Sequence, residues 1–160
     1  MKKFKDPIYG YIKIPKTIVT RIIDTPEFQR LRYIKQTSYL PVYSAALHNR
    51  FIHSLGVYFL GGIVSDTLFN NSITILKECS IESNIKEIFQ LACLLHDVGH
   101  APFSHSGEGF YIDEQKSLYV KLKQEVNNES FSADVDYYHK NGKVAAPHEI
   151  MNVIVALERF

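Results

Sequence analysis

Between residues 85 and 96 the chain runs Ile-Lys-Glu-Ile-Phe-Gln-Leu-Ala-Cys-Leu-Leu-His, with Asp97 next. Apolar residues at 85, 88, 89, 91, 92, 94 and 95 leave such a helix no wide polar face. That pattern predicts a place at the centre of a helical domain. The helix delivers His96 and Asp97 at its inner end. Polar groups at that depth need partners, because an unpaired buried charge costs several kcal/mol. One element therefore demands both a surrounding helical layer and a polar constellation at its end.

The helices to surround it are legible. Ile18, Val19, Ile22 and Ile23 recur at helical spacing. Thr25-Pro26-Glu27 reads as a helix start, with a hydroxyl N-cap, proline at the first position and an acid near the positive end of the dipole. The helix it opens is expected to bury Phe28, Leu31 and Ile34, leaving Arg30, Arg32 and Lys35 outside, and the stretch Thr37-Ser38-Tyr39-Leu40-Pro41 breaks it. A long helix is expected over about 45–69, with Val57, Leu60, Val64 and Leu68 among its apolar positions. Its Gly61-Gly62 pair would permit close packing at some loss of helix propensity. Pro147 to Phe160 is helical again through Ile150, Val153, Ile154 and Leu157. Before these helices, residues 7–14 alternate bulky residues as a short strand or hairpin arm does. Residues 112–146 have weak periodicity and turn signals at Asn127-Asn128 and Lys140-Asn141-Gly142, which predicts a mobile insertion with one short helix near 114–125. The expected class is mainly α, one domain over 1–160.

Composition narrows the function. The chain has 160 residues, enough for one core. Lys and Arg number 18 against 17 Asp and Glu, so no basic footprint covers the whole domain and nucleic-acid binding is not indicated by charge. No run of 18 apolar residues predicts a membrane span, and the N-terminus lacks the apolar segment of a secretory signal. Cys79 and Cys93 have no paired spacing and read as reduced, largely buried thiols of a cytoplasmic protein.

Seven histidines are many for this length. They concentrate in His48-Asn49-Arg50-Phe51-Ile52-His53-Ser54-Leu55-Gly56-Val57, in His96-Asp97-Val98-Gly99-His100-Ala101-Pro102-Phe103-Ser104-His105, and in Pro147-His148-Glu149. Two imidazoles and a carboxylate suit a divalent cation such as iron, manganese, cobalt, nickel or zinc. His96 and His100 would share a face if the helix persisted past Gly99. Pro102 then turns the chain so that His105 can face the same cavity. Any one histidine on an apolar helix is more often a hydrogen-bonded core residue than a ligand. Five in register argue otherwise, while His48 and His139 are expected to be surface or packing residues.

These segments resemble the HD-domain metal-dependent phosphohydrolases, named for the His-Asp doublet. The closest likeness is to their deoxynucleoside triphosphate triphosphohydrolase branch. Asp6-Pro7-Ile8-Tyr9-Gly10 and Ile22-Ile23-Asp24-Thr25-Pro26-Glu27-Phe28-Gln29-Arg30-Leu31-Arg32 precede the two histidine segments in the family's order. The likeness covers residues 6–110 nearly continuously and resumes at Pro147. It implies an HD-domain helical bundle with a short N-terminal strand or hairpin. His53, His96 and Asp97 match three of the four metal ligands of the family's H…HD…D pattern; the family's metal could also be magnesium. Arg50 and His100 match positions that touch substrate phosphates or sit beside the metal. His105 and Glu108 match a catalytic histidine with its acidic partner, suited to protonating a leaving oxygen. His148 matches a further active-site histidine, and Gln36 a residue close to sugar and base.

Departures accompany the likeness. Ile52 stands where relatives commonly have glutamate, Glu108 where the animal enzymes have aspartate, and the 112–146 insertion is longer. The fourth ligand, an aspartate, lies well downstream of the His-Glu motif in the family, and this chain ends eleven residues after Glu149. The expectation is an HD domain without its last helices, weakened in metal affinity. The activity implied is metal-assisted attack of water on a deoxynucleoside triphosphate, releasing deoxynucleoside and triphosphate. Another nucleotide substrate (a monophosphate, a cyclic nucleotide or a guanosine polyphosphate) and a non-catalytic nucleotide- or nucleic-acid-binding module are the alternatives. The expected partners are a nucleotide and, through apolar surface near Phe160, a second copy of the chain.

Overall fold

The structure is a computed structural model that describes residues 1–37, 47–71, 84–110 and 115–160. The sequence break at residues 38–41, the first residues of the helix expected over 45–69, and Cys79 lie outside the described residues.

The chain opens on an antiparallel hairpin, β1 (Lys2–Asp6) and β2 (Gly10–Ile14), with Lys2 opposite Ile14. Asp6 makes its turn: Oδ1 accepts from the N–H groups of Ile8 and Tyr9 at 2.8 and 2.9 Å. Such a carboxylate replaces a backbone acceptor at the bend. Ile12 and Ile14 point into the core. Helix α1 (Lys16–Ile18) continues into a π-turn at Val19–Ile23. Helix α2 (Pro26–Gln29) starts on Thr25, whose side chain accepts from Phe28 N–H, and tightens to a 3₁₀ turn at Arg30–Tyr33. Phe28, Leu31 and Ile34 are buried, as their spacing requires.

Helix α3 (Arg50–Asn71) and helix α4 (Ile85–Leu95) form the principal helix pair. The face α3 buries carries Phe51, Ser54, Leu55, Tyr58 and Ser65, whereas Leu60, Val64 and Leu68 are exposed. Gly61 fixes this rotation, since its missing side chain admits the Cys93 side chain of α4. A second expectation is corrected at α4. Only Leu94 is buried, and Ile88 is 61% exposed. Among the described residues α4 packs chiefly on α3, so its remaining apolar faces meet no helical layer. Cys93 is half-buried, not enclosed. Residues Arg50–Leu68 also reach the length and mean hydropathy (1.3) of a membrane-spanning helix. In this fold that helix carries the buried Arg50 ion pair described below and buries one face only, 39% of the stretch.

After α4, a turn and a 3₁₀ segment (Ser104–Phe110) lead to α5 (Gln115–Val126), α6 (Glu129–Lys140) and α7 (Pro147–Arg159). The helix expected near 114–125 is α5. A second helix, α6, follows it, capped by Asn128, whose side chain accepts from Phe131 N–H. Leu122 of α5 with Ile150 and Ile154 of α7 make a small second core. The hydrophobic stripe of α7 is only half covered, since Val153 and Leu157 stay exposed.

Candidate active site

Three stretches of chain deliver the polar residues. The first turn of α3 contributes Arg50 and His53, the end of α4 contributes His96 and Asp97, and the turn beyond it contributes His100. Helix α4 stops at Leu95, so His100 does not continue a helical face with His96. The backbone instead makes 3₁₀-like bonds, from Val98 N–H to Leu95 C=O and from His100 N–H to Asp97 C=O. That tighter turn swings His100 to the other side of Asp97.

His53 and His96 face each other, with their Nε2 atoms 3.2 Å apart. His96 Nδ1–H donates to the Cys93 carbonyl at 2.8 Å, which makes Nε2 the unprotonated nitrogen, its lone pair turned toward His53. Fixing the tautomer through the second ring nitrogen is what metal-ligating histidines require. Asp97 completes the group: Oδ2 lies 3.8 Å from His53 Nε2 and Oδ1 lies 3.5 Å from His96 Nε2. One ligand atom from each residue falls within 4.8 Å of the others. Two imidazoles and one carboxylate converging without an apolar side chain between them fit a divalent cation.

Asp97 is the hub of the site. Arg50 Nη1 donates to its Oδ2 at 2.7 Å, and His100 Nε2 stands 3.4 Å from its Oδ1. Burial by itself pushes the Asp97 carboxyl up. The His100 hydrogen bond, nearby His96 and the Arg50 guanidinium outweigh it and hold the group well below the usual carboxylate range. Burial is also the main reason that His53 and His100 are pushed below the ordinary imidazole value. Arg50 is 1% exposed, and its Nη2 also donates to Ser104 Oγ. Ser104 holds a left-handed backbone (φ 54°), unusual for a residue with a side chain, and so aims its hydroxyl at Arg50.

A second group adjoins the first. Glu108 Oε1 accepts from His105 Nδ1–H at 2.7 Å and lies 2.8 Å from His148 Nδ1. The His148 ring stacks on His100, centroids 4.1 Å apart, and His105 meets both rings edge-on. These four side chains also form a compact donor set. A carboxylate between two imidazoles can orient them and pass a proton. A cavity of about 420 Å³ opens beside His100, Glu108 and His148, with Arg30 and Lys121 on its walls. Arg30 also ties the site to α2, donating to the Val98 carbonyl at 2.9 Å.

The sequence-derived residues thus fall into one neighbourhood around Asp97: Arg50, His53, His96 and His100 contact it, and His105, Glu108 and His148 gather about His100. Gln36 is tied through its backbone N–H to the His48 carbonyl at 3.2 Å and contacts none of these side chains among the described interactions. Its Oε1 is buried and has no hydrogen-bond partner among the described residues. His48 and His139 are exposed and outside the site, as expected. Two residues were not foreseen, Ser104 and Asn152. Ser104 lies within the His96–His105 segment but no role pointed to it, and the one hint at Asn152 is a polar residue four positions after His148.

The class is a helical domain that presents, at a helix end, a His–His–Asp group able to hold a metal ion. The family model of the HD domain matches residues 50–150, and the chain belongs to that family. Over 114 residues it is 46% identical to the deoxynucleoside triphosphate triphosphohydrolase SAMHD1 of Homo sapiens, covering 70% of this chain and 17% of that protein. The Xenopus laevis protein of the same name matches equally, 46% over 114 residues with the same coverage. An uncharacterized Bacillus subtilis protein, YwfO, is 41% identical over 117 residues, covering 71% of this chain and 25% of its own length. The chain therefore spans a quarter or less of the length of these relatives.

Proposed function

We propose that this chain carries the metal-binding and proton-transfer residues of a phosphohydrolase that cleaves deoxynucleoside triphosphates into deoxynucleoside and triphosphate. The observation that carries the reading is the single carboxylate, Asp97, shared between a His–His–Asp ligand set and a histidine–glutamate group. Similarity to proteins named deoxynucleoside triphosphate triphosphohydrolases supports the substrate class.

His53, His96 and Asp97 would hold a divalent cation. Such an ion, when bound, polarises a phosphoryl oxygen and acidifies water. The remaining work belongs to side chains. His105, steered by Glu108, donates a proton to the oxygen that leaves phosphorus. His148, against the same carboxylate, orients Glu108 and can return that proton. Arg50 holds Asp97 in its ionised form and fixes its orientation. The cavity beside His148 supplies room for substrate, with Arg30 and Lys121 as cations beside a phosphate chain.

The test is a product assay over a nucleotide panel, with the parent chain and a His96→Ala, Asp97→Ala variant. Triphosphate released from a deoxynucleoside triphosphate by the parent and absent from the variant supports the reading. Release unchanged in the variant overturns it, and turnover confined to a monophosphate or cyclic nucleotide replaces the substrate.

A further inference from the structure

We infer that Asn152 is a positioning residue that holds the His96 metal ligand in place and couples it to His148. A helix end leaves its last carbonyls without intrahelical partners. At the end of α4 one of these belongs to His96, and it accepts from Asn152 Nδ2. The same side chain turns its other end to the turn that follows, where Asn152 Oδ1 accepts from Gly99 N–H at 2.6 Å. One amide from a helix over fifty residues away thus clamps both ends of the His96–Gly99 turn. No other residue type of that size offers a donor and an acceptor in one plane.

The backbone is adapted to this contact. A side chain at Gly99 would run into the backbone of Met151 and Asn152, so only glycine lets α7 come close enough for the clamp to close. The clamp then acts in two directions. Toward α4 it fixes the His96 backbone, while Nδ1–H is held by Cys93, so Nε2 is set opposite His53. Toward α7 it sets the helix on which His148 sits one turn earlier, with the His148 ring against His100. Partners that orient a ligand from outside the coordination sphere typically contribute about 10–100-fold in metal affinity.

The inference rests on His53, His96 and Asp97 being metal ligands, and the experiment separates the two. Binding of Mn²⁺ is measured by titration calorimetry on the full chain and on Asn152→Ala, Asn152→Leu and Val153→Ala, without nucleotide. Leucine keeps the same branched side-chain skeleton with methyls in place of the amide, and the alanine variant removes the added bulk as well, while Val153, half-exposed on the neighbouring position, reports any general effect of altering α7. The expected result is affinity lowered about 10–100-fold in both Asn152 variants and unchanged in Val153→Ala. The rise in Tm caused by Mn²⁺ should shrink in the same two variants, beyond any fall in the metal-free Tm. Equal Mn²⁺ affinity in parent and Asn152→Leu overturns the clamp alone. A parent chain that takes up no Mn²⁺ overturns the ligand reading and this inference with it.

Discussion

Arg50 and Asp97 form an ion pair at 2.7 Å with both side chains shut off from solvent, 1% and 6% exposed. It joins the first residue of α3 to the turn after α4 and holds the central carboxylate of the site. Removing one partner of a buried pair strands the other, at a cost of about 3–5 kcal/mol. Arg50→Ala should destabilise the chain by about that amount in urea unfolding. Arg50→Lys should recover only part of it, because an ammonium cannot reproduce the guanidinium fork toward both Asp97 and Ser104.

Glu108 Oε1 accepts a hydrogen bond from His105 and stands at ion-pair distance from His148 Nδ1. Glu108→Gln should therefore lower kcat about 100-fold or more with a much smaller change in KM, the range for lost acid–base help. His105→Gln should cost a similar factor. The double variant should lose little beyond either single one, since the residues act as a unit. Full additivity of the two losses in steady-state kinetics would contradict the shared role.

Acid should weaken the metal-free fold in two stages. Burial, as the largest cause, lowers His53 and His100 from the ordinary 6.5. The unfolded chain then binds more protons than the folded one below about 6.5, so this contribution is whole above that pH and is lost as pH falls. Asp97, lowered by its His100, His96 and Arg50 partners despite burial, acts in the same direction at lower pH. Its contribution is present above the unfolded carboxylate value and disappears as pH falls through the depressed folded value. Thermal melts in chelator should show Tm falling below about pH 6.5, with a shallower slope for His100→Gln.

Adjacent glycines on α3 should respond with opposite sign. A methyl at Gly61 meets Cys93 Sγ at 2.7 Å and Cβ at 3.1 Å, atoms close to the α4 backbone. Gly61→Ala should destabilise by about 1–3 kcal/mol through overpacking. At Gly62 the obstacle is only the Gln90 side-chain amide, which can swing aside. Gly62→Ala should be neutral or stabilising by up to about 1 kcal/mol, the helix propensity gained. Urea midpoints of the two variants decide the matter.

What the sequence made readable was local. Thr25-Pro26 marked a helix start because capping chemistry is contained in three residues, and the cap is formed. The His96-Asp97 doublet at the end of an apolar helix announced a polar site because unpartnered polar groups at such a position are costly. The spacing of Phe28, Leu31 and Ile34 identified one buried face correctly. On α3 and α4 the same kind of reasoning went astray, since both are apolar on more than one side and periodicity cannot choose among apolar faces.

The amino-acid order by itself determined the helical class and the His96-Asp97 doublet at a helix end, because residue type and near-neighbour spacing carry those properties, whereas Glu108 and the role of His148 came only from the resemblance to the HD family. Only the tertiary structure decided the rotation of α3 against α4, the end of the helix at Leu95, and the Asn152 amide across the His96–Gly99 turn. Each of those depends on what lies opposite: Cys93 against Gly61, α7 against Gly99. A chain settles such contacts through packing between distant segments, and no local pattern records them.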